Sequence, residues 1–205
     1  IPNIDVNFKS INIESQKART SLFYAYRNHN FKIFTLLLEN EQIDVNMFYY
    51  TKFEGNNGTF NYIEDTILIE AIDDNDYKII ELLLSHPKID VNLKRTCFYD
   101  NKILYESPLQ FAIDREYIDI FKLLLSHPKI DVNTSKRDVD GCEIRSLTSA
   151  IDLSNKEIIS GLISHPNIDI DFIYKFRDDD MIYNFNPFIY SVYYNKIGIV
   201  ELFIN

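Results

Sequence analysis

The tetrapeptide Ile-Asp-Val-Asn, or a near copy, occurs five times: Ile4 to Asn7, Ile43 to Asn46, Ile89 to Asn92, Ile130 to Asn133 and Ile168 to Asp171. A second marker keeps the same phase, at Thr20-Ser21-Leu22, Thr66-Ile67-Leu68, Ser107-Pro108-Leu109, Arg145-Ser146-Leu147 and Asn186-Pro187-Phe188. Three residues after each stands Ala25, Ala71, Ala112, Ala150 or Ser191. A period of about 38 to 46 residues belongs to a stack of like units, each covering its neighbour, rather than to a chain wrapped around one central core.

Within a unit the pattern runs helix, helix, hairpin. Ser107-Pro108 offers an N-cap with proline at the first helical position, and Leu109, Ala112 and Ile113 follow at helical spacing. After Asp114-Arg115-Glu116, a second apolar pattern runs through Ile118, Ile120, Phe121, Leu123, Leu124 and Leu125 and stops before Pro128. The stretches leading to the next unit read as hairpins. Met47 to Phe53 meets Gly55-Asn56-Asn57-Gly58 and returns through Phe60 to Tyr62, while Asp140-Gly141 is a two-residue turn signal. In the fifth unit Phe172, Tyr174 and Phe176 alternate up to Asp178-Asp179-Asp180, and Met181, Tyr183 and Phe185 alternate back. Rings sharing one face predict a small core in which the hairpins brace one another, the alternative being an aromatic patch that binds a partner.

The expected fold class is therefore an all-α repeat solenoid with long β-hairpin fingers. Its units are 1–19 (the tail of a preceding repeat plus a hairpin), 20–65, 66–106, 107–144, 145–185 and an incomplete 186–205. Both boundaries cut inside a unit, which reads as a segment of a longer array.

Composition narrows the function. With 31 acidic against 21 basic residues and a formal charge of -10, the chain lacks the clustered Lys and Arg that bind phosphate backbones, and basic partners are favoured. No apolar run reaches the roughly 20 residues of a membrane helix, and the first residues lack the basic-then-apolar pattern expected of a signal peptide. Cys97 and Cys142 are too few for a disulfide scaffold and suit a reducing, cytoplasmic setting. A monomer is expected.

Several patterns invite chemistry and are read as structural. His86, His127 and His165 recur at one position, yet successive stacked units stand roughly 8 to 10 Å apart while zinc needs ligands at about 2.0 to 2.1 Å. They are expected at helix ends, bonding local carbonyls. Asp138-Val139-Asp140-Gly141 looks like part of a calcium loop, but Lys136 and Leu147 occupy positions that the frame reserves for acids. Asp178, Asp179 and Asp180 read as solvated, and the sequons at Asn57 and Asn133 match by pattern only. There is no glycine-rich phosphate loop, nucleophile elbow or His-Glu-x-x-His motif. No catalytic residue, metal or cofactor is expected.

At Ser107-Pro108-Leu109-Gln110-Phe111-Ala112-Ile113, Ile120-Phe121, Leu124-Leu125 and Ile130-Asp131-Val132-Asn133 the chain resembles the ankyrin repeat, and all five units match in phase. The tail Leu-Leu-Ser-His-Pro-Lys-Ile-Asp-Val-Asn, at Leu83 to Asn92 and Leu124 to Asn133, is similar to that of divergent ankyrin arrays in unicellular eukaryotes. The family's second alanine is here Tyr26, Ile72, Ile113, Ile151 or Val192, which implies wider helix packing. The glycine of its inter-helix break is His29, Asn75, Glu116, Ser154 or Asn195. Glutamate adopts a left-handed conformation poorly, so another geometry is expected at Glu116.

The resemblance implies a non-catalytic module that offers a concave helix and hairpin surface to a protein partner. Carried over by position, the contact residues are Tyr24, Arg27 and Asn28, then Glu70, Asp73 and Asp74, then Phe111, Asp114 and Arg115, then Asp152, and finally Tyr190, Tyr193 and Tyr194. Asp73, Asp74 and Asp114 would steer a partner with a basic patch. The alternatives are an architectural spacer in a long solenoid or a regulatory segment of a larger multidomain protein.

Overall fold

A computed structural model describes residues 4–12, 17–54, 60–99, 102–137, 143–178 and 181–204. Two compact units, residues 1–105 and 106–205, divide it. The first holds the helix pairs α1 (Ser21–Arg27) with α2 (Phe31–Leu38) and α3 (Ile67–Asp73) with α4 (Tyr77–Ser85). The second holds α5 (Pro108–Asp114) with α6 (Ile118–Leu125), α7 (Ser146–Leu153) with α8 (Lys156–Ile163), and α9 (Pro187–Tyr193) with α10 (Ile197–Ile204).

Each pair starts and turns for local reasons. Thr20, Thr66, Ser107 and Asn186 cap their helices by accepting the backbone N–H three residues on, as do Asn30, Asp76 and Asn155 in the second helices. The residue linking the two helices has positive φ in every pair: His29 (52°), Asn75 (54°), Glu116 (53°), Ser154 (58°) and Asn195 (52°). Glu116 therefore does take the left-handed geometry, contrary to expectation. A tight reversal has to place the second helix on the first, and the burial of Ile113, Ile120, Phe121 and Leu124 holds the strained residue there.

The recurring tetrapeptide has a role for each side chain. Its isoleucine and valine are buried at Ile43, Val45, Ile89, Val91, Ile130 and Val132. Its aspartate accepts the N–H two residues on, closing a turn at Asp5, Asp44, Asp90, Asp131 and Asp169. Its asparagine reaches the next repeat. Asn7 donates to the Gln42 carbonyl at 2.7 Å and accepts from the Asp44 N–H at 2.8 Å. Asn46 does the same with Lys88 and Asp90, and Asn133 with Asn167 and Asp169. A side-chain amide reproduces both groups of a peptide bond, so it ties two backbones as a sheet rung would.

The histidines before the tetrapeptide are also local caps, with a polarity opposite to the one expected. The Nδ1 atoms of His86, His127 and His165 accept from the N–H groups of Lys88, Lys129 and Asn167 at 3.3, 3.3 and 3.2 Å. In the first repeat Asn40 makes the same bond to Gln42. A hydrogen-bond acceptor explains the position.

The all-α description needs correction. In the first unit the hairpins β1 (Ser10–Asn12) with β2 (Lys17–Arg19), β3 (Tyr49–Glu54) with β4 (Phe60–Asp65) and β5 (Arg95–Tyr99) with β6 (Lys102–Glu106) join into one six-stranded antiparallel sheet in chain order. Successive hairpins meet where Ala18 faces Tyr50 and where Tyr62, Ile63 and Glu64 face Phe98, Cys97 and Thr96. Long fingers rich in aromatic and β-branched residues leave edges able to pair, and the succession of repeats within this unit brings those edges together. The second unit has two separate hairpins, β7 (Ser135–Arg137) with β8 (Glu143–Arg145) and β9 (Tyr174–Asp178) with β10 (Met181–Phe185).

The tips carrying Gly55 to Gly58, Asp138 to Cys142 and Asp179-Asp180 lie outside the described residues. So do the sequon at Asn57 and the calcium-like run. Among the described residues no helix is long and apolar enough to cross a membrane.

Candidate functional site

Where strands meet first helices in the first unit, a groove of about 570 Å³ opens, lined by Arg19, Phe23, Tyr49, Phe53, Asp65 and Arg95 together with Tyr24, Arg27, Glu70 and Asp73. Alternation along the strands sends one set of side chains to this face, and the short helices α1 and α3 supply the other wall.

The groove's charges answer one another. The Arg19 guanidinium lies over the rings of Phe23 (4.5 Å) and Tyr49 (4.8 Å) and donates to the Tyr50 carbonyl and to Thr51 Oγ1. Burial lowers its pKa, with the nearby tyrosines opposing. Arg27 pairs with Glu70 and, at 3.0 Å, with Asp74. Tyr49 donates its hydroxyl to Glu70, and Tyr26 donates to Asp74 at 2.7 Å. Deeper, Asp65 pairs with Arg95 at 3.2 Å, both side chains being about nine-tenths covered. Burial pushes the Asp65 carboxyl up to about 6, with Arg95 opposing and Asp73 adding to the rise.

The other residues singled out from sequence fall into four groups. Tyr24, in the groove wall, and Asn28 are exposed, Tyr24 with its hydroxyl 3.4 Å from Ser10 Oγ. Phe111 and Tyr190 are core residues, only 2% and 7% exposed. The phase rule put them on the surface stripe, but the ring of Phe111 is covered by Arg115 (4.7 Å) and Tyr190 packs against Phe185 and Tyr194. The acids of the second unit are already engaged: Asp114 with Lys136 and, at 3.0 Å, with Gln110, and Asp152 with the Tyr190 hydroxyl. Burial raises the Asp152 pKa while that hydrogen bond and Lys196 hold it down; burial also raises that of Tyr190.

Tyr193 and Tyr194 remain on the surface, in a ring cluster with Tyr183, Phe185 and Tyr190 whose centroids lie 4.8 to 6.3 Å apart. Hairpin aromatics also stack across strands, Tyr62 on Phe98 (5.1 Å) and Phe53 near Tyr99 (5.6 Å). Thus the stripe brings Tyr24, Arg27, Glu70 and Asp73 into one groove and leaves the rest on separate surfaces or in the core. Sequence reasoning missed Arg19, Asp65 and Arg95. Their signal was phase: Arg19 and Asp65 each stand one place before a helix cap, at the end of an alternating strand.

Stacked helix pairs joined by hairpins define a helical-repeat protein. The family described as ankyrin repeats (3 copies) matches residues 3–95. An ankyrin repeat domain from Acinetobacter baumannii AYE, solved as a crystal structure, is similar over 98% of this chain and 85% of that one, at 19% identity and a TM-score of 0.61. No curated protein matches the chain. Residues 3–95 thus match the ankyrin-repeat family, and the chain as a whole shares the fold of an ankyrin repeat domain.

Proposed function

We propose that the chain is a non-catalytic recognition module that holds a protein partner along the first-helix and hairpin surface, centred on the groove of the first unit. Ankyrin repeats generally mediate protein–protein interactions. The observation that carries the finer reading is the groove itself, where the aromatic faces of Tyr24 and Phe53 lie beside paired charges. Aromatic rings in a concave site supply large contact area at small entropic cost. Asp74 and Asp114 already face Arg27 and Lys136, so preference for a basic partner comes from the overall charge of -10 more than from those two acids. A cytoplasmic setting belongs to the same reading.

The test compares retention of partners from lysate by three proteins: the native chain, a groove variant (Tyr24→Ala with Phe53→Ala and Asp73→Asn), and a control altered at the exposed Glu81 on α4. A partner kept by the native chain and the control but lost by the groove variant supports the site. Equal retention by all three removes it. An architectural spacer is the second reading, supported by the hairpin rings that pack on one another rather than lying open. Absence of any saturable partner would advance that reading.

A further inference from the structure

Charge is divided along the groove of the first unit. Its cations Lys17, Arg19 and Arg27 belong to β2 and α1, whereas its acids Asp65, Glu70 and Asp73 belong to β4 and α3. Ala18 faces Tyr50, Tyr49 faces Asp65 and Glu64 faces Thr96, so the register sets Arg19, Tyr49, Asp65 and Arg95 in one row across four strands. Residues in such a row share a face of the sheet. Two of its charges are matched, Asp65 by Arg95 at 3.2 Å, and on the helical wall Arg27 is matched by Glu70 and Asp74. Arg19 differs: among the described residues it has no carboxylate partner. One nitrogen, Nη1, donates to the Ala18 and Tyr50 carbonyls at 3.0 and 2.7 Å, and Nη2 donates to Thr51 Oγ1 at 2.6 Å. That leaves Nε–H and one hydrogen on Nη2, adjacent nitrogens that a carboxylate can bridge. Both sheet neighbours of β2, β1 and β3, are in place, so the missing acid is a property of the groove itself.

We propose that the groove takes an acidic peptide segment of the partner protein, with one carboxylate side chain seated on Arg19 and the flanking residues packed on Tyr24 and Phe53. This rests on the recognition reading above and gives that site its chemistry. Arg19 is suited to the task because its rings and hydrogen bonds already hold it: the guanidinium lies over Phe23 and Tyr49, is half-buried, and gives up little freedom when an anion arrives. Lys17, exposed two residues earlier on the same strand, and Arg27, 5.8 Å from the Phe23 ring that Arg19 covers, add positive potential at this end of the groove. The net charge of -10 favours basic surfaces at a distance, but exposed charges are screened beyond about 8 Å at physiological salt, so the local cations decide which side chain enters.

A phage library of random peptides, panned on the 205-residue chain, tests this. Enriched sequences should share an Asp or Glu, and a synthetic binder in which that residue is replaced by Asn or Gln should bind about tenfold or more weakly in fluorescence anisotropy. Arg19→Gln should weaken the acidic peptide by the same factor and leave the affinity of its amide counterpart unchanged. Such non-additivity marks a direct contact, and the retained amide affinity shows that the variant is folded. If Arg19→Gln weakens the acidic and amide peptides alike, Arg19 is structural and the proposal fails. Enriched peptides that lack a carboxylate but depend on Tyr24 and Phe53 overturn it too, while leaving the groove a recognition site. Peptides bound equally by the native chain and by Tyr24→Ala with Phe53→Ala, or no enrichment over a blank surface, remove the groove reading itself and this proposal with it.

Discussion

Glu116 holds φ of 53° where a residue without a Cβ suffers no clash. Its carboxylate accepts from Asn155 at 2.9 Å on the surface, a modest compensation. Glu116→Gly should therefore stabilise the chain by about 1 kcal/mol, read as a higher urea midpoint with an unchanged slope. The capping histidines make a pH prediction. Burial, with Lys88 or Lys129 close by, lowers the pKa of His86 and His127 below the ordinary imidazole value. The unfolded chain then takes up protons first as pH falls, so the stability these caps contribute is present above about 6.5 and is lost on acidification. Asp65, raised to about 6, has the opposite sign: its contribution is lost as pH rises through that value. Asparagine already makes the same cap at Asn40, so the double variant His86→Asn, His127→Asn should gain stability relative to the native chain on going from neutral to acid pH in urea unfolding.

At the scale of elements, packing between consecutive helices depends on paired sizes. A Cβ on Gly161 of α8 would sit 2.8 Å from Phe121 Cε1, and that ring is fully buried in α6. Gly161→Ala should thus destabilise by roughly 1 to 3 kcal/mol through overpacking, although alanine by itself favours helix by about 1 kcal/mol. A calorimetric melting temperature equal to or above that of the native chain would refute this fit. The capping rule has exceptions at α6 and α7, where Tyr117 and Arg145 stand at the N-cap with no side-chain bond. Tyr117→Asp should add about 1 kcal/mol, measurable by the same melt.

Within each unit of the molecule, repeats are stable because their neighbours cover them, and the asparagines tie that coupling into the backbone. Asn46→Ala, in the first unit, and Asn133→Ala, in the second, each remove two hydrogen bonds between repeats. A loss of about 1 to 3 kcal/mol and a broader unfolding transition are expected in each case. Asn7→Ala, whose tetrapeptide isoleucine Ile4 is exposed, should cost less. A transition as sharp as that of the native chain would mean that side-chain burial alone couples the repeats.

Periodicity is a property of the chain itself. The tetrapeptide, the Ser-Pro-Leu marker and the helical spacing of Leu109, Ala112 and Ile113 were therefore enough to determine the repeat class, the helix pairs, their caps and the presence of hairpins. The side chains that stripe the surface were only partly legible. Phase places Phe111 and Tyr190 beside variable positions, yet whether a ring lies out or in depends on the cover that Arg115 or Phe185 provides. Three things were decided by tertiary structure: the joining of three hairpins into one sheet, the left-handed turn at Glu116, and the groove that gathers Arg19, Asp65 and Arg95. Each depends on contacts between segments distant in sequence, where the energy of packing and pairing exceeds the local preference of any single residue.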